Sequence, residues 1–217
     1  MRIYLGKVTF AKHGNLAKVT GCRNTDQGGL MPKYIEGLAY HIYNRGAHRA
    51  PIFFTPGNYR YCLRLIFKYT LKYCVSLLGY CLMPNHYHLV LAKETGGSIS
   101  RCVQTIFNAY VQGFNKVHRH SGTLFQGEAK SRLVETDDYA VELIRYIHLN
   151  PVRAGLARKV SEWEYSDYWD WINNSGPVSS KNFRQQFFAD GNSYKEYVAE
   201  YLDERDKVSV AKYLIGL

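Results

Sequence analysis

The strongest constraint on the fold is the stretch 73–94, YCVSLLGYCLMPNHYHLVLAKE. Two runs rich in aromatic and aliphatic residues flank Pro84-Asn85. Proline cannot donate to a sheet ladder, and Pro-Asn suits a short turn, so the pattern predicts an antiparallel hairpin with strands over 73–83 and 86–94. Its second strand carries His86 and His88, which share parity and so point to one face, while Tyr87, Leu89 and Leu91 point to the other.

The surrounding elements fix where such a hairpin can sit. Leu38, Tyr40 and Ile42 alternate with Ala39, His41 and Tyr43, a strand ended by Asn44-Arg45-Gly46. Tyr59, Leu63, Ile66, Phe67 and Thr70 recur at helical spacing over 56–72, behind Thr55 as N-cap and Pro56 at the first helical position. Gly96-Gly97-Ser98 opens a long helix to about Val117, a short strand follows over 130–134, and Thr136-Asp137 caps a helix over 138–149 that Asn150-Pro151 should stop. The order strand, helix, strand, strand, helix, strand, helix predicts an α+β, ferredoxin-like split β-α-β fold: an antiparallel sheet with helices on one face. Residues 1–30 are polar and glycine-rich and read as an N-terminal extension, 31–172 as the main domain, and 173–217 as a linker (NNSGPVSS, 173–180) with a charged helical C-terminal appendage.

The 217 residues carry a net charge of +10 and a pI of about 9.3, a balance that favours a polyanionic partner. Five cysteines, an odd number without a CxxC pair or a secretory signal, fit free thiols and a cytoplasmic location. No apolar run approaches the length of a membrane span.

Two histidines on a strand are more often a surface or satisfied pair than a metal site. A second stretch, LIRYIHLNPVRAG (143–155), alters the balance. Tyr146 and Asn150 stand four apart on the expected helix, one turn apart on one face. A tyrosine hydroxyl can attack a phosphate, and an amide oxygen one turn on can complete a metal site begun by two imidazoles. Leu143, Ile144 and Ile147 form the apolar stripe that Tyr146 could merely edge.

YHIYNRG (40–46), YCLMPNHYHLVL (80–91), NKVHRHSGTLFQGEAKS (115–131) and ELIRYIHLNPVRAGL (142–156), in that order, resemble the single-tyrosine HUH transposases, in particular the REP-associated tyrosine transposase branch. The resemblance spans about 32–172. It implies a nucleophile at Tyr146 and a divalent ion, Mg²⁺ or Mn²⁺, held by His86, His88 and Asn150. Tyr87 stands where the family usually has an aliphatic residue, Asn150 where simpler relatives carry glutamine, and Glu128-Ala129 replaces a basic and aromatic pair. The implied partner is single-stranded or hairpin DNA, bound by a monomer or homodimer. Arg45, Arg49, Lys116, Arg119, Lys130, Arg132, Arg145 and Arg153 are the candidate phosphate contacts, with tyrosines and tryptophans available for stacking. Competing expectations are a domesticated hairpin-binding protein that does not cleave and a phosphodiesterase that uses water.

Overall fold

The computed structural model describes residues 34–203; the N-terminal extension expected over 1–30 lies outside them. Strand β1 (Ala39–Arg45) leads to helix α1 (Pro56–Lys72), then β2 (Val75–Met83), β3 (His86–Lys93), α2 (Ile99–His118), β4 (Lys130–Val134) and α3 (Asp137–Arg153). Helices α4 (Tyr168–Asn173), α5 (Val178–Arg184) and α6 (Gly191–Asp203) follow. The four strands form one sheet in the order β2-β3-β1-β4, with every neighbouring pair antiparallel. The expected α+β, ferredoxin-like arrangement is therefore present.

The caps act as the sequence predicts. Asn58 Oδ1 accepts from Thr55 N at 3.1 Å and fixes the first turn of α1. Ser98 Oγ accepts from Arg101 N at the start of α2, and Thr136 Oγ1 from Tyr139 N at the start of α3. Helix α3 does not stop at Asn150. Pro151 is buried inside its last turn, and Ala154 N still reaches Asn150 O at 2.9 Å. Proline there costs one hydrogen bond, and packing holds the turn in place despite that loss.

Each face of the sheet has its own core. Tyr40, Ile42, Leu82, Tyr87, Leu89 and Leu91 pack against α1 and α2. Leu78, Cys81, Met83, Val90 and Ala92 pack against α3 to α6. One-face packing thus holds for α1 and α2, but the later helices cover the opposite face. A strand buried on both sides cannot show the polar alternation that would reveal a single covered face. A β-bulge between Leu77 and Gly79 puts Leu77 in one core and Leu78 in the other, while Tyr80 and Leu82 rejoin Leu77.

The linker expected at 173–180 is shorter than that. Val178 already begins α5, and Ser179 Oγ donates to Leu77 O at 3.1 Å on β2. Phe183, Tyr194 and Val198 belong to the same core as Ile144 and Trp171. Below them, His148 is fully buried on α3. Its Nε2 donates to Asp167 Oδ1 at 2.8 Å, and its Nδ1 meets the Tyr194 hydroxyl at 2.7 Å. Asp167 also accepts from Tyr80 N and Trp171 Nε1, so one carboxylate joins β2, α3 and α4, and α6 through the histidine.

Cys62, Cys81 and Cys102 are buried free thiols. Cys74 is disulfide-bonded, so the expectation of free thiols fails at that position. Among the described residues no helix is long and apolar enough to cross a membrane.

Candidate metal and DNA site

The hairpin turn is sewn to the end of β1. Gly46 N reaches Asn85 O at 2.8 Å, and Ile52 N and Phe53 N both donate to Pro84 O. The 119–129 connection docks on the same end: Gln126 N donates to Arg45 O, Asn44 Nδ2 to Gly127 O, and Arg45 Nε to Gln126 Oε1. Tyr87 faces away from these groups and stacks on Phe107, with ring centroids 4.0 Å apart. It is a core residue.

His86 and His88 project together from the other side of β3, their ring centroids 5.1 Å apart and their planes nearly perpendicular. His86 Nδ1 lies 2.7 Å from Asn85 Oδ1, an oxygen that can only accept. The Nδ1 therefore carries the proton and the Nε2 lone pair is left available. His88 is completely buried, and its Nε2 has no hydrogen-bond partner. An unpartnered buried nitrogen is costly unless something coordinates or hydrogen-bonds it, so the pair fits a bound cation. Burial pushes His86 down to about 4, helped by the Arg45 guanidinium, and pushes His88 well below the ordinary imidazole range, helped by His41 and His86. Both rings are neutral at physiological pH, the form that ligates metals.

His41, on β1, is a member of the cluster that sequence reasoning missed. Its Nε2 lies 2.9 Å from His88 Nδ1, and the two rings stack at 5.1 Å. The signal was its parity with Tyr43 and Arg45, but the alignment with His88 depends on the β1–β3 register, which pairs Tyr43 with His88 and Arg45 with His86.

Of the expected basic contacts, Arg45, Lys130 and Arg132 adjoin this cluster. Arg132 pairs with His41 across β1 and β4, and the Lys130 ammonium stands 5.9 Å from the Tyr43 ring. Arg49 is exposed in the loop beside Asn85, which reaches its carbonyl at 3.4 Å. Lys116 and Arg119 lie at the far end of α2, where His118 bonds Asn58 rather than the histidine cluster. Arg145 is committed elsewhere, its guanidinium 4.0 Å from the Tyr197 ring and 4.5 Å from the Tyr201 ring of α6.

Tyr146 is half-buried on α3 under the exposed Arg153, whose guanidinium sits 4.7 Å from its ring centre. Burial raises the Tyr146 hydroxyl above its ordinary value, and Arg153 opposes that rise. Asn150 is buried one turn on. Among the described residues no hydrogen bond or ring contact joins Tyr146 or Asn150 to the two histidines. Nor, among the described residues, do three or more His, Cys, Asp or Glu side chains cluster to hold a metal. Tyr110, on α2, is fully buried and donates its hydroxyl to Ile52 O, which leaves it no access to a phosphate.

The structure is thus a ferredoxin-like α+β domain with a histidine pair on one strand and basic residues beside it. Residues 34–150 match the family described as Transposase IS200 like, more than half of the chain, and the protein belongs to that family. Its role is accordingly that of a DNA transposase. A solved REP-associated tyrosine transposase bound to a REP hairpin has the same fold, at TM-score 0.53 and 18% identity over 70% of this chain and 90% of that one. A candidate transposase from Deinococcus radiodurans R1 matches at TM-score 0.40 and 17% identity over 54% of this chain and 94% of that one. No curated protein matches the chain.

Proposed function

We propose that the protein cleaves and rejoins single-stranded DNA at hairpin sites through a 5′-phosphotyrosine on Tyr146. The observation that carries this reading is the pair His86–His88, with Nε2 atoms free of partners in a chain of the transposase family. His86, His88 and the Asn150 amide would hold a divalent ion, Mg²⁺ or Mn²⁺. Such an ion, when bound, polarises a non-bridging phosphate oxygen and neutralises charge developing in the transition state.

The chain's own residues do the rest. The Tyr146 oxygen forms the new bond to phosphorus as the bond to the 3′-oxygen breaks; the tyrosine proton passes to solvent, and the 3′-oxygen takes one proton from solvent to leave as a 3′-hydroxyl. Arg153 lies where its charge favours the phenolate that forms on deprotonation and leaves again on rejoining. Because one phosphoester replaces another, a 3′-hydroxyl can reverse the step without ATP. Arg45, Lys130 and Arg132 would hold the phosphates flanking the scissile one, and hairpin DNA, the ligand named for the solved relative, is the proposed substrate. A cytoplasmic location accords with that substrate.

A labelled hairpin oligonucleotide incubated with the protein and Mg²⁺ or Mn²⁺, then run on a denaturing gel, tests the reading. A covalent protein–DNA band that Tyr146→Phe abolishes is expected. Binding without any adduct would instead support a hairpin-binding protein. Cleavage that survives Tyr146→Phe would point to water as the nucleophile.

A further inference from the structure

The contact between His41 and His88 has a chemical consequence beyond the ligand set. At 2.9 Å, His41 Nε2 and His88 Nδ1 share a single hydrogen. Two arrangements are available to neutral rings. If His41 Nε2 donates, His88 must carry its own proton on Nε2, and that nitrogen has no lone pair to offer. If His88 Nδ1 donates, its Nε2 lone pair is free, and His41 carries its single N–H proton on Nδ1. Either way, two buried ring nitrogens lack partners, His41 Nδ1 and His88 Nε2. Each such nitrogen has lost its water and gained no partner in exchange. Protein contacts alone therefore do not separate the two arrangements clearly, whereas a cation on His88 Nε2 is compatible with the second only.

The surroundings hold His41 in place for this purpose. Its ring stacks on Tyr43 at 4.8 Å, it is 1% exposed, and it stands diagonally across the β1–β3 ladder from His88. It is too deeply packed to swing away and be replaced by water. Among the described residues His88 Nδ1 has no other hydrogen-bond partner, so His41 is the group that sets its tautomer. Outer hydrogen-bond partners of this kind fix the tautomer and ring angle of metal-bound histidines.

We propose that His41 is a positioning residue, which accepts a hydrogen bond from His88 Nδ1–H and so fixes His88 with its Nε2 lone pair directed at a divalent cation. This rests on the proposed metal site. The full chain, titrated with Mn²⁺ alone by calorimetry, should bind one ion. His41→Leu, which removes the acceptor, should weaken binding by roughly 10- to 100-fold. His41→Gln, whose amide oxygen can accept, should recover most of the loss. Histidine ¹⁵N spectra of the wild-type protein with Mg²⁺ should show the His88 proton on Nδ1, a readout that needs no variant to fold. Mn²⁺ binding to a folded His41→Leu variant as tight as to wild type, or a wild-type His88 proton on Nε2, would overturn the role of His41 and leave the metal site standing. Wild-type protein that binds Mn²⁺ no better than a His86→Ala/His88→Ala variant would overturn both.

Discussion

Tyr146 and Arg153 stand seven residues apart on α3, two helical turns, so their meeting could be read from the sequence once the helix was known to continue past Pro151. The reading of Arg153 as a phosphate contact passed over this because the expected stop at Asn150 left it outside the helix. A cation beside a phenol favours the deprotonated form, and here it works against burial, which favours the protonated one. Arg153→Gln removes the favourable charge while keeping a long polar side chain. The Tyr146 hydroxyl should then rise further, so that a smaller fraction is ionised at any given pH below it. Adduct formation in single turnover, at saturating DNA, should slow about threefold to tenfold at neutral pH, a range kept small because Arg153 is solvent-exposed. The alkaline limb of its pH profile should move to higher pH. A slower reaction with an unmoved profile would make Arg153 a DNA contact or a packing residue only. At this scale, His86, His88, Tyr146 and Asn150 were all singled out from spacing and resemblance. His41 was not, because its role depends on a strand pairing that no local pattern encodes.

The order of the elements from β1 to α3 was legible, because periodicity, caps and the Pro-Asn turn are local signals. Which face α3 covers was not, because an apolar stripe of Leu143, Ile144 and Ile147 says only that one side is buried. The structural reason lies in Gly79. A β-carbon placed there would sit 2.9 Å from Ile144 Cγ1 and 3.2 Å from its Cδ1 and Cγ2, so the missing side chain is what lets α3 lie close across β2. Gly79→Ala should therefore destabilise the fold by about 1–3 kcal/mol through overpacking, measured by urea denaturation. Ile144→Ala, which empties a fully buried position, should cost about 2–5 kcal/mol by itself. Combined, the new methyl occupies part of the space that Ile144 vacates, so the double variant should be clearly more stable than the sum of the single losses. Strict additivity would show that Gly79 is tolerant and that something else sets the approach of α3 to the sheet.

At the scale of the whole molecule, composition misled in one respect and was uninformative in another. NNSGPVSS has a linker's composition, yet its last residues open α5, because Phe183 and Tyr194 further on have a core to enter beside Trp171. Tertiary burial overrides local polarity there, and the buried His148–Asp167 pair reinforces it. The net charge of +10 predicted a polyanionic partner without saying where it binds. The fold sorts the candidates: Arg45, Lys130 and Arg132 adjoin the histidines, Lys116 and Arg119 lie at the end of α2, and Arg145 is held between two tyrosine rings. If the DNA lies over the histidine cluster, removing charges there should change how strongly binding depends on salt, whereas removing Arg145 should not. Each phosphate contact to a single strand contributes about 0.7 to the slope of log K against log salt. Lys130→Ala combined with Arg132→Ala should lower the slope by roughly 1.4, followed by fluorescence anisotropy of a hairpin oligonucleotide across roughly 50 to 300 mM KCl. Arg145→Ala should leave the slope at its wild-type value and act on stability instead, because it unstacks α6. The opposite pattern, a slope lowered by Arg145→Ala and unchanged by the β4 pair, would move the DNA away from the histidine cluster and onto the surface where α3 meets α6.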